Sequence, residues 1–174
     1  MSTLVIRPTT AADIPAISAI YEPAVLHGTA TFELEPPTEA EMLQRMQDIT
    51  SAGFPYLVAE RDNHVLGYAY VNHYRTRPAY RFVVENSIYV APSAQGEGIG
   101  RALLDELIAD SARRGFRQMI AVIGDSRQFG SIALHRSAGF AFSGTLHSVG
   151  FKFGRWIDSV LMQRPLGPGD STPA

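Results

Sequence analysis

The stretch YVAPSAQGEGIGRALL, residues 89–104, decides how the rest of the chain is read. A strand-like run ends at Val90, a polar loop follows, and Gly96, Gly98 and Gly100 alternate at the mouth of a helical pattern. Glycine lets a backbone turn tightly and approach a ligand closely. The free amides of a helix N-terminus, with the helix dipole behind them, favour an anion. The unit is therefore either a pyrophosphate cradle or a glycine-rich turn that merely starts a helix. Two familiar cradles are excluded. No Gly-Lys-Ser/Thr follows, and a G-x-G-x-x-G read from Gly96 would need glycine where Arg101 stands.

Outward from this loop, apolar runs and turn residues alternate. Leu4, Val5 and Ile6 predict a strand. Thr10 with Asp13 resembles a capping box ahead of a helix carrying Ile14, Ile17, Ala24 and Val25, which Pro23 is expected to kink or end. After the loop HGTATFELEPP, Thr38 with Glu41 opens a second helix, with Met42, Leu43 and Met46 on its apolar side and Gly53 and Pro55 closing it. YLVAE and VLGYAYVNHY predict two strands turning at Asp62–Asn63. FVVENSIYV is a fourth strand, and 98–114 a helix with Ile99, Leu103 and Leu107 on one stripe. MIAVI is a strand and Ser131–Ala138 a short helix stopped by Gly139. FAFSGTLHSVGFKF and RWIDSVLMQ supply the last strands. The expectation is one α/β domain over residues 1–166 and a disordered Pro- and Gly-rich tail over 167–174.

Composition narrows the function classes. The chain has 174 residues, enough for one domain. Hydrophobic residues are 45% and charged residues 18%, below the roughly 25% of an average globular chain, so a real core can form. A net charge of -2 argues against a non-specific nucleic-acid binder. The absence of cysteine removes disulfides, thiolate metal sites and a cysteine nucleophile, and fits a reducing cytoplasm. The start, MSTLVIRPTT, does not have the form of a signal peptide, and no apolar run approaches the ~18 residues of a membrane span.

Gln95, Gly98 and Gly100 stand between strand and helix in the spacing Q-x-x-G-x-G, which resembles the acetyl-CoA signature of the GNAT superfamily of N-acetyltransferases. SIALHRSAGF (131–140) resembles that superfamily's second conserved region. Together with VENSIYV, AVIGDS (121–126) and GFKFGRWID (150–158), these segments are similar to the phosphinothricin and methionine sulfone/sulfoximine acetyltransferase branch. The resemblance runs from about residue 4 to about residue 166. It implies a mixed α/β domain with a central, mostly antiparallel sheet flanked by helices. The fourth and fifth strands splay there, and the pantetheine arm lies in the gap.

The resemblance also implies site residues. Ile88, Tyr89 and Val90 would lie beside the acetyl-pantetheine arm. Gln95, Gly96, Glu97, Gly98, Ile99, Gly100 and Arg101 would bind the cofactor, with the run from Gly96 around its pyrophosphate and Glu97 turned to solvent. Gln128 stands where the family usually has Asn, three residues before Ser131, and Arg127 beside it is a further candidate for phosphate. Glu85 is the candidate general base. It sits in an apolar strand whose burial would raise its pKa; a solvated Glu paired with Arg81 is the plainer reading. His135, where relatives often carry Tyr, is a proton donor to the leaving thiolate, an aid to deprotonation, or a packed residue. Arg75, Thr76 and Arg77 would hold the acceptor's carboxylate or oxyanion, beside Glu85, Asn86 and Ser87. Phe32 and Glu33 would cover the acceptor, and Trp156 is expected in the core. His27, His64, His73 and His147 show no metal-ligand spacing, so no metal is expected. The implied activity is direct transfer from acetyl-CoA to the amine of a small amino acid or analogue, by a homodimer that binds neither nucleic acid nor membrane. A protein N-terminal acetyltransferase and a non-catalytic acyl-CoA-binding module are the alternatives.

Overall fold

The computed structural model describes residues 3–173. In chain order it has β1 (Val5–Pro8), α1 (Ile14–His27), α2 (Glu39–Ser51), β2 (Tyr56–Arg61), β3 (His64–His73), β4 (Val83–Val90), α3 (Ile99–Arg113), β5 (Gln118–Gly124), α4 (Phe129–Ser137), β6 (Ala141–Lys152) and β7 (Arg155–Pro165). Local chemistry starts several of these elements. The Thr38 amide donates to Glu41 Oε2 at 2.6 Å and the Glu41 amide to Thr38 Oγ1 at 3.2 Å, closing the box that opens α2. Asp13 accepts from the Thr10 amide at 2.8 Å and is clamped by Arg7, whose hydrogen bond holds the carboxyl down at about 2. Asp62 and Asn63 both take positive φ, 52° and 60°, the geometry that matches a two-residue hairpin loop to the strand twist. Pro23 does not end α1. The helix runs on to His27, because Tyr21 and Val25 are buried on either side of the missing hydrogen bond and hold the last turn down.

All seven strands form one sheet in the order β1-β2-β3-β4-β5-β7-β6. Every neighbouring pair is antiparallel except β4 and β5. That parallel pair is short: Val83–Asn86 run beside Gln118–Ala121, and beyond these residues the two strands are no longer paired. The β3 side chains alternate between faces. Gly67 abuts Ile99 and Leu103 of α3 on one side, while Tyr68 stacks on Tyr89 at 5.3 Å on the other, where Tyr89 meets Tyr21 of α1 edge-on at 4.9 Å. Val58, Ala59, Ala69, Val84, Leu103, Leu104, Leu107 and Met119 are fully buried in one continuous core.

Two expectations meet a different arrangement. Trp156 is 64% exposed and lies edge-on to Phe151 at 5.2 Å. The alternation of β7 turns Ile157 inward, so its neighbour must face out. Residues 167–173, expected to be disordered, follow turns held by Arg117, whose guanidinium donates to the carbonyls of Gly169 and Pro173 and to Thr172 Oγ1, each at 3.0–3.1 Å. Met1, Ser2 and Ala174 lie outside the described residues.

Candidate active site

Where β4 and β5 part, they leave a cleft of about 820 Å³. Its walls come from both faces of the sheet: the start of α3 on one side and the second half of α1 on the other, so the cleft threads the gap between the strands. Asn86, Ser87, Ile88, Tyr89 and Val90 form one edge and Ala121–Gly124 the other; Gln95, Gly96, Gly98, Ile99, Gly100 and Arg101 form the mouth, and Gln128, Ser131, Leu134 and His135 close it. The sequence reading reached most of these residues. It did not reach Ile20, Pro23, Ala24 and His27 of α1, because nothing local shows that α1 lies across the gap.

Gly98 is the N-cap of α3 and has φ +81°, with no side chain capping the helix amides. Built onto its backbone, a Cβ would meet nothing within 4 Å. The amides are thus free and the space before them is open, which suits an anion. Glu97 is turned aside by Arg61, 2.7 Å away. Arg101 lines the mouth while paired with Asp105 and donating to the Ser137 carbonyl at 3.1 Å. Arg127 faces Asp125 at 3.4 Å and does not line the cleft.

His135 is 5% exposed. Its Nδ1 lies 2.8 Å from the Ser131 carbonyl, which can only accept, so Nδ1 carries the proton. Nε2 then accepts from the Asn86 amide at 2.9 Å. Burial pushes the imidazole below its ordinary pKa, against the Ser131 hydrogen bond, so this neutral tautomer is the resting form. Asn86 is left with Oδ1 buried, without a partner, in the cleft wall. Glu85 projects from the other face of β4, opposite Asn72 of β3, and burial raises its carboxyl. It stands one residue short of the cleft wall. Among the described residues no cluster of three or more His, Asp or Glu could hold a metal.

The loop after α1 locks against the far edge. Thr29 donates to the buried Asp125 at 2.9 Å and accepts from Gln128 Nε2 at 3.2 Å, while Arg155 pairs with the same carboxylate. Burial pushes Asp125 up, but Arg155, the Arg127 amide and Thr29 outweigh it and hold it well below the usual carboxylate range. Phe32, 38% exposed, lies where a side chain on Gly150 would be, 2.5 Å from its Cβ position. Glu33 accepts from Tyr21 at 3.0 Å and from Arg45 at 2.6 Å. Arg75, Thr76 and Arg77 are exposed and line neither this cleft nor the smaller cavity beside it; Arg75 lies over the ring of Tyr74 at 5.1 Å.

A threaded β4–β5 gap with a glycine-capped helix at its mouth can seat an extended ligand that carries an anionic group. The family model for the acetyltransferase (GNAT) domain matches residues 6–161, and the chain belongs to that family. It is 57% identical over 160 residues to the phosphinothricin N-acetyltransferase of Alcaligenes faecalis, covering 92% of this chain and 81% of that one. It is 39% identical over 163 residues to the L-methionine sulfoximine/L-methionine sulfone acetyltransferase of Salmonella typhimurium, covering 94% and 95%. The crystal structure of a phosphinothricin acetyltransferase from Sinorhizobium meliloti in complex with acetyl-CoA superposes with a TM-score of 0.95 at 51% identity, over 98% of this chain and 92% of that one.

Proposed function

We propose that this protein transfers the acetyl group of acetyl-CoA to the amine of a small amino acid of the phosphinothricin or methionine sulfone/sulfoximine type. The observation that carries the reading is the cleft passing through the sheet, with free helix amides on one side and Glu85 at the other. The residues fit the cofactor. The open space before Gly98 suits a pyrophosphate. The edge of β4 after Asn86 has no strand beside it, and an extended amide-bearing arm would satisfy backbone groups that are costly to leave bare.

Bound acetyl-CoA supplies an activated acyl thioester; the chain supplies position and proton transfer. An ammonium cannot attack a carbonyl. Glu85, its carboxyl raised by burial, takes that proton directly or through one water. His135 holds the Asn86 amide and so fixes this residue in the cleft wall. To act as an acid from Nε2 it would have to release Asn86 and take a second proton, against its burial. Arg75 and Arg77 offer forks to the acceptor's carboxylate. To do so Arg75 leaves the ring of Tyr74, over which it lies. Phe32 and Glu33 cover the acceptor. With no cysteine to carry an acyl group, the amine attacks the thioester itself: a carbon–nitrogen bond forms, the carbon–sulfur bond breaks, and CoA would leave as its thiol with the proton that the nitrogen loses.

The same reading makes the protein a cytoplasmic homodimer. Its support is the apolar surface along β6, the following turn and the start of β7, where Phe142, Val149, Phe151, Phe153 and Trp156 are each more than half exposed. The deciding experiment follows thiol release from acetyl-CoA with free amino acids, methionine sulfone, methionine sulfoximine, phosphinothricin and short peptides. Turnover confined to peptides would hand the assignment to a protein N-terminal acetyltransferase. Cofactor binding without any turnover would leave an acyl-CoA-binding module.

A further inference from the structure

A second cavity, about 280 Å³, lies under α2 on the face of the sheet that carries Glu85. Its floor is a tyrosine stack: Tyr56 lies parallel to Tyr70 at 4.9 Å and to Tyr68 at 6.0 Å. Tyr70 lies beside Ser87, its cross-strand partner. Tyr56 and Tyr68 both line the cavity, and their hydroxyls have no hydrogen-bond partner among the described residues. Burial holds both phenols well above their ordinary pKa, so they stay donors at any working pH. Asn72 stands at the edge. Its Oδ1 accepts from the His73 amide, which leaves Nδ2 free to donate.

The cavity adjoins the chemistry. Asn72 is the cross-strand partner of Glu85, and Tyr70 of Ser87. Directly paired residues on one face of a sheet have Cβ atoms about 4.5–5.5 Å apart. An amine held at Glu85 therefore has Asn72 and then the tyrosine floor within reach of its own side chain. The rim decides charge. Arg45 is committed to Glu33 through two hydrogen bonds, at 2.6 and 3.2 Å, and Asp48 adds a carboxylate of its own. The rim thus offers donors but no surplus of positive charge.

Resting on the acetyltransferase reading above, we infer that this cavity is the side-chain subsite of the acceptor: Tyr56, Tyr68 and Asn72 donate to an uncharged oxygen, such as that of a sulfone, at the end of an unbranched side chain. The test compares Tyr56→Phe, Tyr68→Phe and Asn72→Ala with the wild type on methionine sulfone and on norleucine, which keeps the length and lacks the oxygens. Asn72 is exposed, so its replacement leaves the fold intact even if a core tyrosine does not tolerate change. A neutral hydrogen bond contributes about 0.5–1.5 kcal/mol, so each variant should lower kcat/KM for the sulfone roughly 2- to 12-fold and leave norleucine within twofold. Calorimetric titration of methionine sulfone into enzyme saturated with free CoA should show the same loss in affinity. Equal losses on both substrates, or none on either, would overturn the subsite. A wild type that turns over no free amino acid at all would instead remove the acetyltransferase reading on which it rests.

Discussion

Two neighbours on β4 carry opposite tasks because alternation sends them to opposite faces. Glu85 goes to the face of the tyrosine stack, Asn86 to α4. Glu85→Gln keeps size and hydrogen bonding but removes the proposed base, so kcat should fall about 10²- to 10⁴-fold with acetyl-CoA affinity little changed. A fall below about threefold across pH 6–9 would place deprotonation elsewhere. The same variant should gain stability at neutral pH. Burial raises the folded pKa of Glu85, so its contribution is complete below the unfolded pKa and is lost as pH rises through the raised one. Melting curves at pH 4 and pH 8 should therefore show Glu85→Gln gaining on the wild type at pH 8. His135 is read through Asn86: His135→Ala and Asn86→Ala should each lower kcat, and the double variant should lose little more than either single one. Additive losses would give His135 a task of its own in the reaction.

At the scale of elements, the glycines at the mouth and at β6 serve different partners. Gly98→Val forces a branched residue to φ +81°, costing roughly 1–2 kcal/mol of stability. Acetyl-CoA affinity should fall at least ~10-fold in the folded variant, measured by calorimetry. Unchanged affinity would mean that the loop only starts a helix. Gly150→Val drives a side chain into Phe32 and should raise KM for the amino acid while sparing the cofactor. These elements were legible to different degrees. The α2 capping box, the Asp62–Asn63 hairpin and the glycine cap are local, and the sequence spells them out. The four-residue β4–β5 pairing and the passage of α1 across the gap are set by tertiary packing, so no local pattern marks them. Tyr56, Tyr68 and Tyr70 look like ordinary alternating strand aromatics until β2 and β3 bring their rings together. Pro23 misleads in the other direction: a local breaker is overruled by the burial of Tyr21 and Val25.

At the scale of the molecule, β6 is an unpaired edge of 12 residues beside exposed aromatics. Light scattering should give a dimer, and Trp156→Glu combined with Phe151→Glu should shift it to monomer. A monomeric wild type would leave that surface without the proposed role. The opposite end of the sheet has a practical meaning. Arg117 ties residues 169–173 beside the start of β5, whereas the cleft opens at its finish, about 20 Å away at ~3.3 Å per strand residue. A purification tag, a fluorescent reporter or a solid support joined through the C-terminus would hang from the closed end of the sheet, leaving the route by which substrates enter unobstructed.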